Sequence, residues 1–186
     1  MVIYVVARQI RQIGRFPLVT GMMTYTVTWG TASIIQQKFI TKSEKIDWTK
    51  TGRVAFIAGA LMGPLVYSWL RMMTHVNPWT SFVGCLQKAL VEQVVFAPFT
   101  HCVFYGSLSA LEGRKDEALQ ELKDKVPPTW KVGACIWPIV QTLNFLYVPV
   151  YYRTHFVACV SFCWSTFLCY MKEKKIPHQQ ATRGES

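Results

Sequence analysis

The chain has 186 residues, of which 51% are hydrophobic and only 16% are charged, and its formal net charge is +10. This length allows one domain of ordinary size, and the charged fraction is well below the roughly 25% of a typical soluble domain. The lysines and arginines flank the apolar segments instead of forming one basic face interleaved with aromatic residues, which argues against a nucleic-acid-binding protein.

The N-terminal stretch, residues 1–15, carries Arg8, Arg11 and Arg15 among aliphatic residues. Spacings of three and four place the arginines on one side of a helix, which predicts a basic amphipathic helix at a membrane surface. An arginine-rich and acid-free pattern is also typical of mitochondrial targeting segments. This pattern favours mitochondria, with the peroxisomal membrane as the alternative, because peroxisomal membrane proteins also carry basic stretches beside their spans.

Five apolar segments follow, at residues 16–36, 54–73, 79–111, 130–150 and 154–171. Each approaches or exceeds the ~18–20 residues that a helix needs to cross ~30 Å of hydrocarbon. The sequence therefore predicts an all-α fold, a polytopic transmembrane helix bundle of four to five spans. Five crossings fit better, because the lysines and arginines then divide unevenly between the two sides of the membrane.

Three polar connectors separate the first four segments: the first at residues 38–53, the second between residues 73 and 79, and the third at residues 113–128. Residues 113–128 are charged and predict one surface helix, which Pro127 and Pro128 are expected to end. Residues 172–186 form a basic tail that we expect to be disordered, so residues 1–171 constitute a single transmembrane helical domain. Four tryptophans near segment ends are expected at the membrane interfaces: Trp48, Trp69, Trp79 and Trp130.

Small residues dominate parts of the first two segments. Ala55, Gly59 and Gly63 step by four, a stripe suited to close helix packing. Pro64 is expected to kink the second helix because it lacks one backbone donor. The glycines and hydroxyl residues of the first segment indicate either helix packing or a wet cavity, with packing favoured.

The third segment carries the most distinctive polar residues, Lys88, Glu92 and Gln93. A charge at mid-membrane costs about 3 kcal/mol, so such residues need partners or a function. Lys88 and Glu92 are four residues apart and can pair on one helix face. Pro98 follows, and the length of this segment predicts either a tilted or proline-kinked helix, or a surface segment that leads into the span.

The fourth segment adds Gln141 and Asn144, which share a helix face. Pro138 and Pro149 are expected to break the surrounding helix, and irregular backbone at membrane depth is tolerated only inside protein or against water. These positions predict a pore or an intramembrane polar cluster formed by Lys88, Glu92, Gln93, Gln141 and Asn144. The alternative is that the same polar groups only bond helices to one another.

The segment from Trp137 to Arg153 carries the most specific pattern of the chain. It includes Trp137-Pro138, Gln141, Asn144-Phe145, Val148-Pro149 and Arg153. This order resembles the W-P-x-x-Q-x-x-N-F-x-x-V-P-x-x-x-R signature of the Mpv-seventeen and peroxisomal membrane protein twenty-two family. Trp137 is one of the residues that we expect to pack or kink the helices, and Arg153 is one of the charged residues that we expect at the segment boundaries.

Three upstream patterns extend this resemblance over nearly the whole chain. Asp47, Lys50 and Arg53 resemble the family's D-x-x-R-x-x-R element, with Lys50 in place of an arginine. Gly59 and Gly63-Pro64 resemble its G-x-x-x-G-P element. Lys88, Glu92-Gln93 and Pro98 resemble its K-x-x-x-D-Q element and the proline that follows, with Glu92 in place of an aspartate. Lys50 and Arg53 are further boundary charges. One departure is Gly30-Thr31, where the family usually has Gly-Asp, so a role for that Asp is not carried over.

The resemblance, closest to the Mpv-seventeen-like branch, implies an integral membrane protein usually drawn with four spans. Members are described as weakly selective channels for small solutes and as affecting reactive oxygen species. We therefore expect a small-solute channel that contributes to organelle homeostasis and reactive oxygen species metabolism. The alternative is a non-channel adaptor or assembly protein affecting redox homeostasis, which would dock through the small-residue stripe, the basic N-terminal helix and the charged third connector.

The expected partners are membrane lipid, a second copy of the chain in a homo-oligomer, and other membrane proteins. No enzyme is expected, because the sequence has no G-x-S-x-G elbow, no glycine-rich phosphate loop and no H-E-x-x-H. The six cysteines form no C-x-x-C and the four histidines have no ligand spacing, so neither a metal nor another cofactor is expected. The cysteines are expected to be free thiols buried among apolar side chains.

Overall fold

A computed structural model describes residues 16–78 and 80–173, which form five long helices. Helix α1 (Pro17–Ile35) ends in a π-helical turn (Gln36–Ile40), and it is followed by α2 (Trp48–Val76), α3 (Phe82–Leu111) and α4 (Lys115–Tyr147). A short 3₁₀ turn (Val150–Tyr152) leads into α5 (Arg153–Glu173). Since no strand occurs in this part of the chain, the predicted all-α bundle is confirmed; the predicted N-terminal amphipathic helix lies outside the described residues.

The helices alternate in direction and close into a ring. Helix α1 packs against α2 and α5, while α4 packs against α3 and α5. Helices α1 and α5 run parallel, because Thr20 bonds His155 near their beginnings and Gln36 bonds Glu173 near their ends. In between, the Trp29 indole donates to Ser161 at 3.1 Å. The last helix thus returns to the first, and both ends of the bundle are tied.

Three helices are long and apolar enough to cross a membrane, namely Trp48–Val76, Phe82–Leu111 and Val150–Glu173. Helices α1 and α4 do not meet the same measure of length and apolarity. The chain is therefore a multi-pass membrane protein, and the number of four to five spans stays a prediction that depends on α1 and α4. Lys172 and Glu173 belong to the last helix, so helical structure extends two residues past the boundary predicted for the domain.

The outer surface is apolar and the interior holds many polar side chains. Val27, Phe56, Val94 and Ile139 are all more than half exposed, whereas Asn144 is fully buried. A soluble protein rarely exposes such a large apolar surface, because water would penalise it. Lipid as the surrounding solvent accounts for both observations.

Helix α4 corrects two expectations about prolines. Pro127, Pro128 and Pro138 all lie inside this 33-residue helix, so the predicted surface helix and the fourth apolar segment are one continuous element. Contacts to α3 hold the helix on both sides of the first two prolines, through Thr129 and through Glu121. Tertiary packing here outweighs the local cost of proline. Pro149, by contrast, lies just after the helix ends.

Two π-helical turns stand where the sequence predicted proline kinks. Ala58–Met62 precedes Pro64 in α2, and Glu92–Phe96 precedes Pro98 in α3. In a regular α-helix the proline ring would clash with the backbone carbonyl four residues earlier. In both helices that carbonyl lies within the wider π turn. Both helices therefore continue past the proline, and the second turn places Glu92 at its first position.

Helices α1 and α2 pack closely through the glycines of the small-residue stripe. A β-carbon on Gly59 would stand 2.0 Å from Thr26 Oγ1, and one on Gly63 would stand 3.0 Å from Met22 Cα. The α1 hydroxyls mostly bond to the carbonyl one turn earlier in their own helix, as Thr24 does to Thr20. The stripe is therefore covered by α1.

The cysteines differ from the expectation of burial. Cys85 and Cys169 are buried, but four others are exposed: Cys102, Cys135, Cys159 and Cys163. All six are free thiols. The exposed four lie on helices whose outer faces are apolar, so a small, weakly polar side chain is tolerated there without burial in the bundle.

Candidate intramembrane polar site

Glu92 is the centre of the buried polar cluster. Only 8% of the residue is exposed, and its carboxylate accepts one hydrogen bond from each of two other helices. Trp69 Nε1 of α2 donates to Oε2 at 3.0 Å, and Gln141 Nε2 of α4 donates to Oε1. Asn144 Nδ2 in turn donates to Gln141 Oε1 at 2.9 Å. The acid therefore joins α2, α3 and α4 at one point.

Gln93 lies beside Glu92, but its side chain forms no hydrogen bond with the described residues. Its backbone carbonyl accepts from Trp130 Nε1 at 2.7 Å. The side-chain amide is 5% exposed, and neither its nitrogen nor its oxygen has a hydrogen-bond partner among the described residues. A buried amide normally finds partners, because an unmade hydrogen bond costs about 1–3 kcal/mol. This amide is thus free to bond to an occupant of the interior.

Lys88 does not form the expected ion pair with Glu92. Its Nζ donates to the backbone oxygen of Asn77 at 3.1 Å and lies 5.0 Å from the centre of the Phe145 ring. Lys88 lies one helical turn nearer the end of the bundle, where the last carbonyls of α2 offer acceptors. The spacing of four residues made an ion pair between Lys88 and Glu92 reasonable, but a backbone carbonyl at the end of α2 binds the ammonium group instead.

Arg153 closes the same end of the bundle. Its guanidinium donates to the carbonyls of Val148 at 3.0 Å and Phe145 at 3.1 Å, and to Thr74 Oγ1 at 2.7 Å. It also lies 5.2 Å from the centre of the Phe145 ring. A cation at the last carbonyls of a helix satisfies acceptors that have no intrahelical donor. Arg153 therefore caps α4 and fixes it to α2 and α5.

The boundary residues of the first connector hold the opposite end. Asp47 caps α2 by accepting from the backbone N–H of Lys50 at 2.9 Å. Lys50 Nζ pairs with Glu173 and donates to Gln36 Oε1 at 3.1 Å. Arg53 is half-buried one turn further along α2. The first connector and the end of α5 are thereby joined.

A second buried network surrounds Glu121, outside the predicted spans. Lys125 and Lys172 each place Nζ 2.7 Å from one of its carboxylate oxygens, and Ser109 Oγ donates at 2.6 Å. Burial raises the pKa of Glu121, but the hydrogen bonds from Lys125, Lys172 and Ser109 outweigh this and hold that pKa at about 2. The carboxylate is thus charged at every physiological pH and contacts both buried lysines. Glu112, 3.5 Å from Lys172 Nζ, supplies a second negative charge.

A cavity of about 70 Å³ lies between the two networks. At about 30 Å³ per water in the liquid, this is room for about two water molecules. Glu92, Gln93, His101 and Gln141 supply its polar wall. The rest is mainly apolar, with the rings of Tyr25, Trp29, Phe96, Phe104, Trp137 and Trp164. Of the predicted cluster, Glu92, Gln93 and Gln141 therefore share one cavity, whereas Lys88 lies towards the end of the bundle.

Three residues of this site were missed or misassigned by sequence reasoning. Trp69 and Trp130 were expected at the membrane interface, yet both indoles donate into the bundle. His101 was assigned no role, yet it is 4% exposed and its Nδ1 has no partner in the described structure. His101 is nine residues from Glu92, about two and a half turns of a regular helix, so sequence spacing gave no signal that the two side chains would face the same space.

Comparison with known proteins agrees with the architecture. Residues 109–169 match the model of the Mpv17 / PMP22 family. The chain is 34% identical to the Mpv17-like protein of Xenopus laevis, over 87% of this chain and 80% of the relative. It is 30% identical to the Mpv17-like protein of Bos taurus, over 88% and 82%.

A third relative carries a location in its name. The mitochondrial inner membrane protein Mpv17 of Rattus norvegicus is 30% identical to the chain, over 85% of this chain and 92% of the relative. No solved structure matches the chain. These similarities extend well beyond the segment that the family model covers, and the matched segment itself contains the whole motif from Trp137 to Arg153.

Proposed function

Since the chain belongs to the Mpv17 / PMP22 family, we propose that it is a weakly selective channel for small solutes in the mitochondrial inner membrane. The membrane is assigned from the rat relative, which is named for that location, and from the arginine-rich N-terminus. Through such conduction the protein would contribute to organelle homeostasis and to reactive oxygen species metabolism.

The observation that carries the proposal is a line of buried polar groups along the bundle interior. Helix α3 contributes Lys88, Glu92, His101 and Ser109, which are all buried. They succeed one another from the end that Arg153 closes to the end that holds the Glu121 network. Polar side chains at membrane depth are costly unless they bond to each other or meet water. The unpartnered amide of Gln93 and the cavity beside it favour water over purely structural bonding.

In such a channel this conformation would be the closed one. The cavity is separated from one end by Lys88 and Arg153, which both lie against the Phe145 ring, and from the other by Glu121 with Lys125 and Lys172. Conduction would require these two end networks to open, whereas the cavity between them already has room for about two waters. Selectivity would then be set by Glu92, the acid that faces the cavity, in favour of cations.

Planar bilayer recordings of the purified protein test this proposal. We expect wild-type protein to conduct, and Glu92→Gln to lose most of its preference for cations. Glu117→Gln is the matched control, because Glu117 is exposed on α4, away from the cavity. Silence from a preparation that is folded by circular dichroism would exclude the channel. Currents whose ion preference is unchanged by Glu92→Gln would exclude Glu92 as the residue that sets selectivity.

Of the three docking surfaces predicted for the adaptor alternative, helix α1 covers one, the stripe of Ala55, Gly59 and Gly63. The third connector buries Glu121 and Lys125 but keeps Asp116, Glu117 and Lys123 exposed, so it remains available to a partner. The basic N-terminus lies outside the described residues. Proximity labelling in mitochondria separates the two functions: one stoichiometric partner of another kind favours the adaptor, and a homo-oligomer alone favours the channel.

A further inference from the structure

We propose that the cavity beside Glu92 is a binding site for a small primary ammonium ion. The first step in the argument is the state of the acid. Glu92 takes part in no ion pair within 4.0 Å anywhere in the described structure, and its two donors, Trp69 and Gln141, are neutral. A buried carboxylate stays ionised only where a cation compensates its charge, and otherwise it takes up a proton. No cation of the described chain does this for Glu92, so a bound cation would be what holds the acid in its ionised form.

The second step is the set of acceptors that face the same space. The side-chain oxygen of Gln93 and Nδ1 of His101 both lack a partner among the described residues, and both residues line the cavity with Glu92. Each of the two residues is at least nine-tenths buried. With the carboxylate they offer three kinds of acceptor, and a primary ammonium group carries three N–H donors. A metal ion such as Mg²⁺ or Ca²⁺ instead prefers six or more oxygen ligands, which this wall does not supply.

The third step concerns the remaining wall and its size. Aromatic rings dominate the wall, and their faces attract cations and shield the alkyl part of an organic ammonium ion from lipid and water. A cavity of about 70 Å³, little more than the volume of two waters in the liquid, admits an ion of only a few non-hydrogen atoms. The inference is independent of conduction, since a site can bind without passing its ligand.

The probe is n-propylammonium chloride, added to the full chain in lipid nanodiscs at constant ionic strength. Trp29, Trp137 and Trp164 line the cavity, so tryptophan fluorescence reports occupancy, and calorimetry gives the stoichiometry. We expect saturable one-to-one binding. 1-Propanol, which has the same shape without charge, and tetramethylammonium, which has charge without N–H donors, should each bind at least tenfold more weakly. Potassium chloride should not compete.

Two variants test the position of the site. Glu92→Gln removes the charge, and Ala97→Leu places a larger side chain into the cavity wall. Each should weaken propylammonium binding at least tenfold, while Glu117→Gln should bind like wild type. If one variant fails to fold, the other decides the matter.

The proposal is overturned by unsaturable binding to folded wild type, by equal affinity for 1-propanol, by competition from potassium, or by wild-type affinity in the folded variants. Ammonium binding without current would remove the channel and keep this site. Current without ammonium binding would do the reverse, so the two proposals fail separately.

Discussion

Trp69 Nε1 lies 3.0 Å from Glu92 Oε2, while the indole ring of Trp69 stacks on Phe96 at 4.5 Å with 7° between the planes. One side chain of α2 thus makes a polar and an apolar contact to the same π-helical turn of α3. The apolar contact faces a groove at the bundle surface, lined also by Leu65 and Phe99, and the polar contact faces inward. Trp69 therefore separates the lipid side of the bundle from the buried acid.

Replacing Trp69 with Phe keeps a ring on Phe96 but removes the N–H. We expect Trp69→Phe to lower the free energy of unfolding by about 1–3 kcal/mol, because Glu92 then keeps only one donor in the buried cluster. Thermal unfolding in detergent micelles measures the change. Trp48→Phe is the matched control, since the Trp48 ring is exposed. Equal melting temperatures for the two variants would contradict the role assigned to the indole N–H.

Much of this site could be predicted from the sequence, and the reasons for the rest are physical. Glu92, Gln93 and Gln141 were identified because polar side chains inside long apolar segments need partners. Their partners were not identified, since Trp69 and Trp130 belong to other helices and sequence spacing does not report contacts between helices. The same limit explains why the predicted ion pair of Lys88 with Glu92 was wrong: Lys88 instead donates to the carbonyl of Asn77 at the end of α2.

The fold shows a similar division. Apolar segment lengths predicted an all-α membrane bundle, but proline was expected to end or kink helices at several positions. Pro127 and Pro128 remain inside α4, because the hydroxyl of Thr129, next to the prolines, bonds to the hydroxyl of Tyr105 on α3 at 2.9 Å. Local propensity is a weak guide where such tertiary contacts compensate its cost. The π turns before Pro64 and Pro98 have no sequence signature that we could have used.

Gly59 tests the close contact of α1 and α2. A β-carbon there would stand 2.0 Å from Thr26 Oγ1 and 3.3 Å from the Met22 carbonyl oxygen. We expect Gly59→Ala to separate the helices and destabilise the protein by about 1–3 kcal/mol, as overpacking does elsewhere. Denaturant unfolding in micelles gives the free energy.

Gly106→Ala is the control for that substitution. Nothing lies within 4 Å of a β-carbon at Gly106, which is also in a helix. Alanine is favoured over glycine in a helix by about 1 kcal/mol, so this variant should be neutral or slightly more stable than wild type. A comparable loss at both glycines would show that lost flexibility, not the contact with Thr26, is responsible.

The Glu121 network makes stability depend on pH. The pKa of Glu121 is about 2 in the folded chain, below the value of about 4.3 for an unfolded glutamate. Its contribution is therefore fully present above about pH 4.3 and is lost as the pH falls towards 2. We expect the melting temperature of wild type to fall over this window more steeply than that of Glu121→Gln. Glu117→Gln should keep the wild-type slope.

At neutral pH the same substitution has a larger consequence. Glu121→Gln leaves Lys125 and Lys172 buried without the carboxylate that both contact. Removing one partner of a buried charge network costs about 3–5 kcal/mol. We expect the variant to melt well below wild type at pH 7, and unchanged melting there would contradict a stabilising role for the network.

Replacing Arg153 with Lys keeps the positive charge but removes the planar arrangement of the guanidinium donors. Its guanidinium reaches two carbonyls of α4 and the hydroxyl of Thr74 at once, which an ammonium group does not reproduce. Arg153→Lys should destabilise the protein by about 1–3 kcal/mol through the unsatisfied carbonyls. Arg71→Lys serves as control, because Arg71 is exposed and its side chain donates to the Tyr67 hydroxyl. Similar unfolding curves for the two variants would mean that charge alone matters at Arg153.

The number of spans can be decided by cysteine labelling. Lys50 pairs with Glu173, and Lys172 Nζ lies 3.5 Å from Glu112, so the first connector, the third connector and the end of α5 share one end of the bundle. The second connector and the turn before α5 lie at the other end.

If all five helices cross the membrane, Ser43→Cys and Asp116→Cys face one compartment, while Thr80→Cys and Tyr151→Cys face the opposite one. An impermeant maleimide applied to mitoplasts, in a background without the six natural cysteines, reads out each position. Labelling of Asp116→Cys and Tyr151→Cys from the same side would show that α4 does not cross, and the family's four-span drawing would then replace the five-span arrangement.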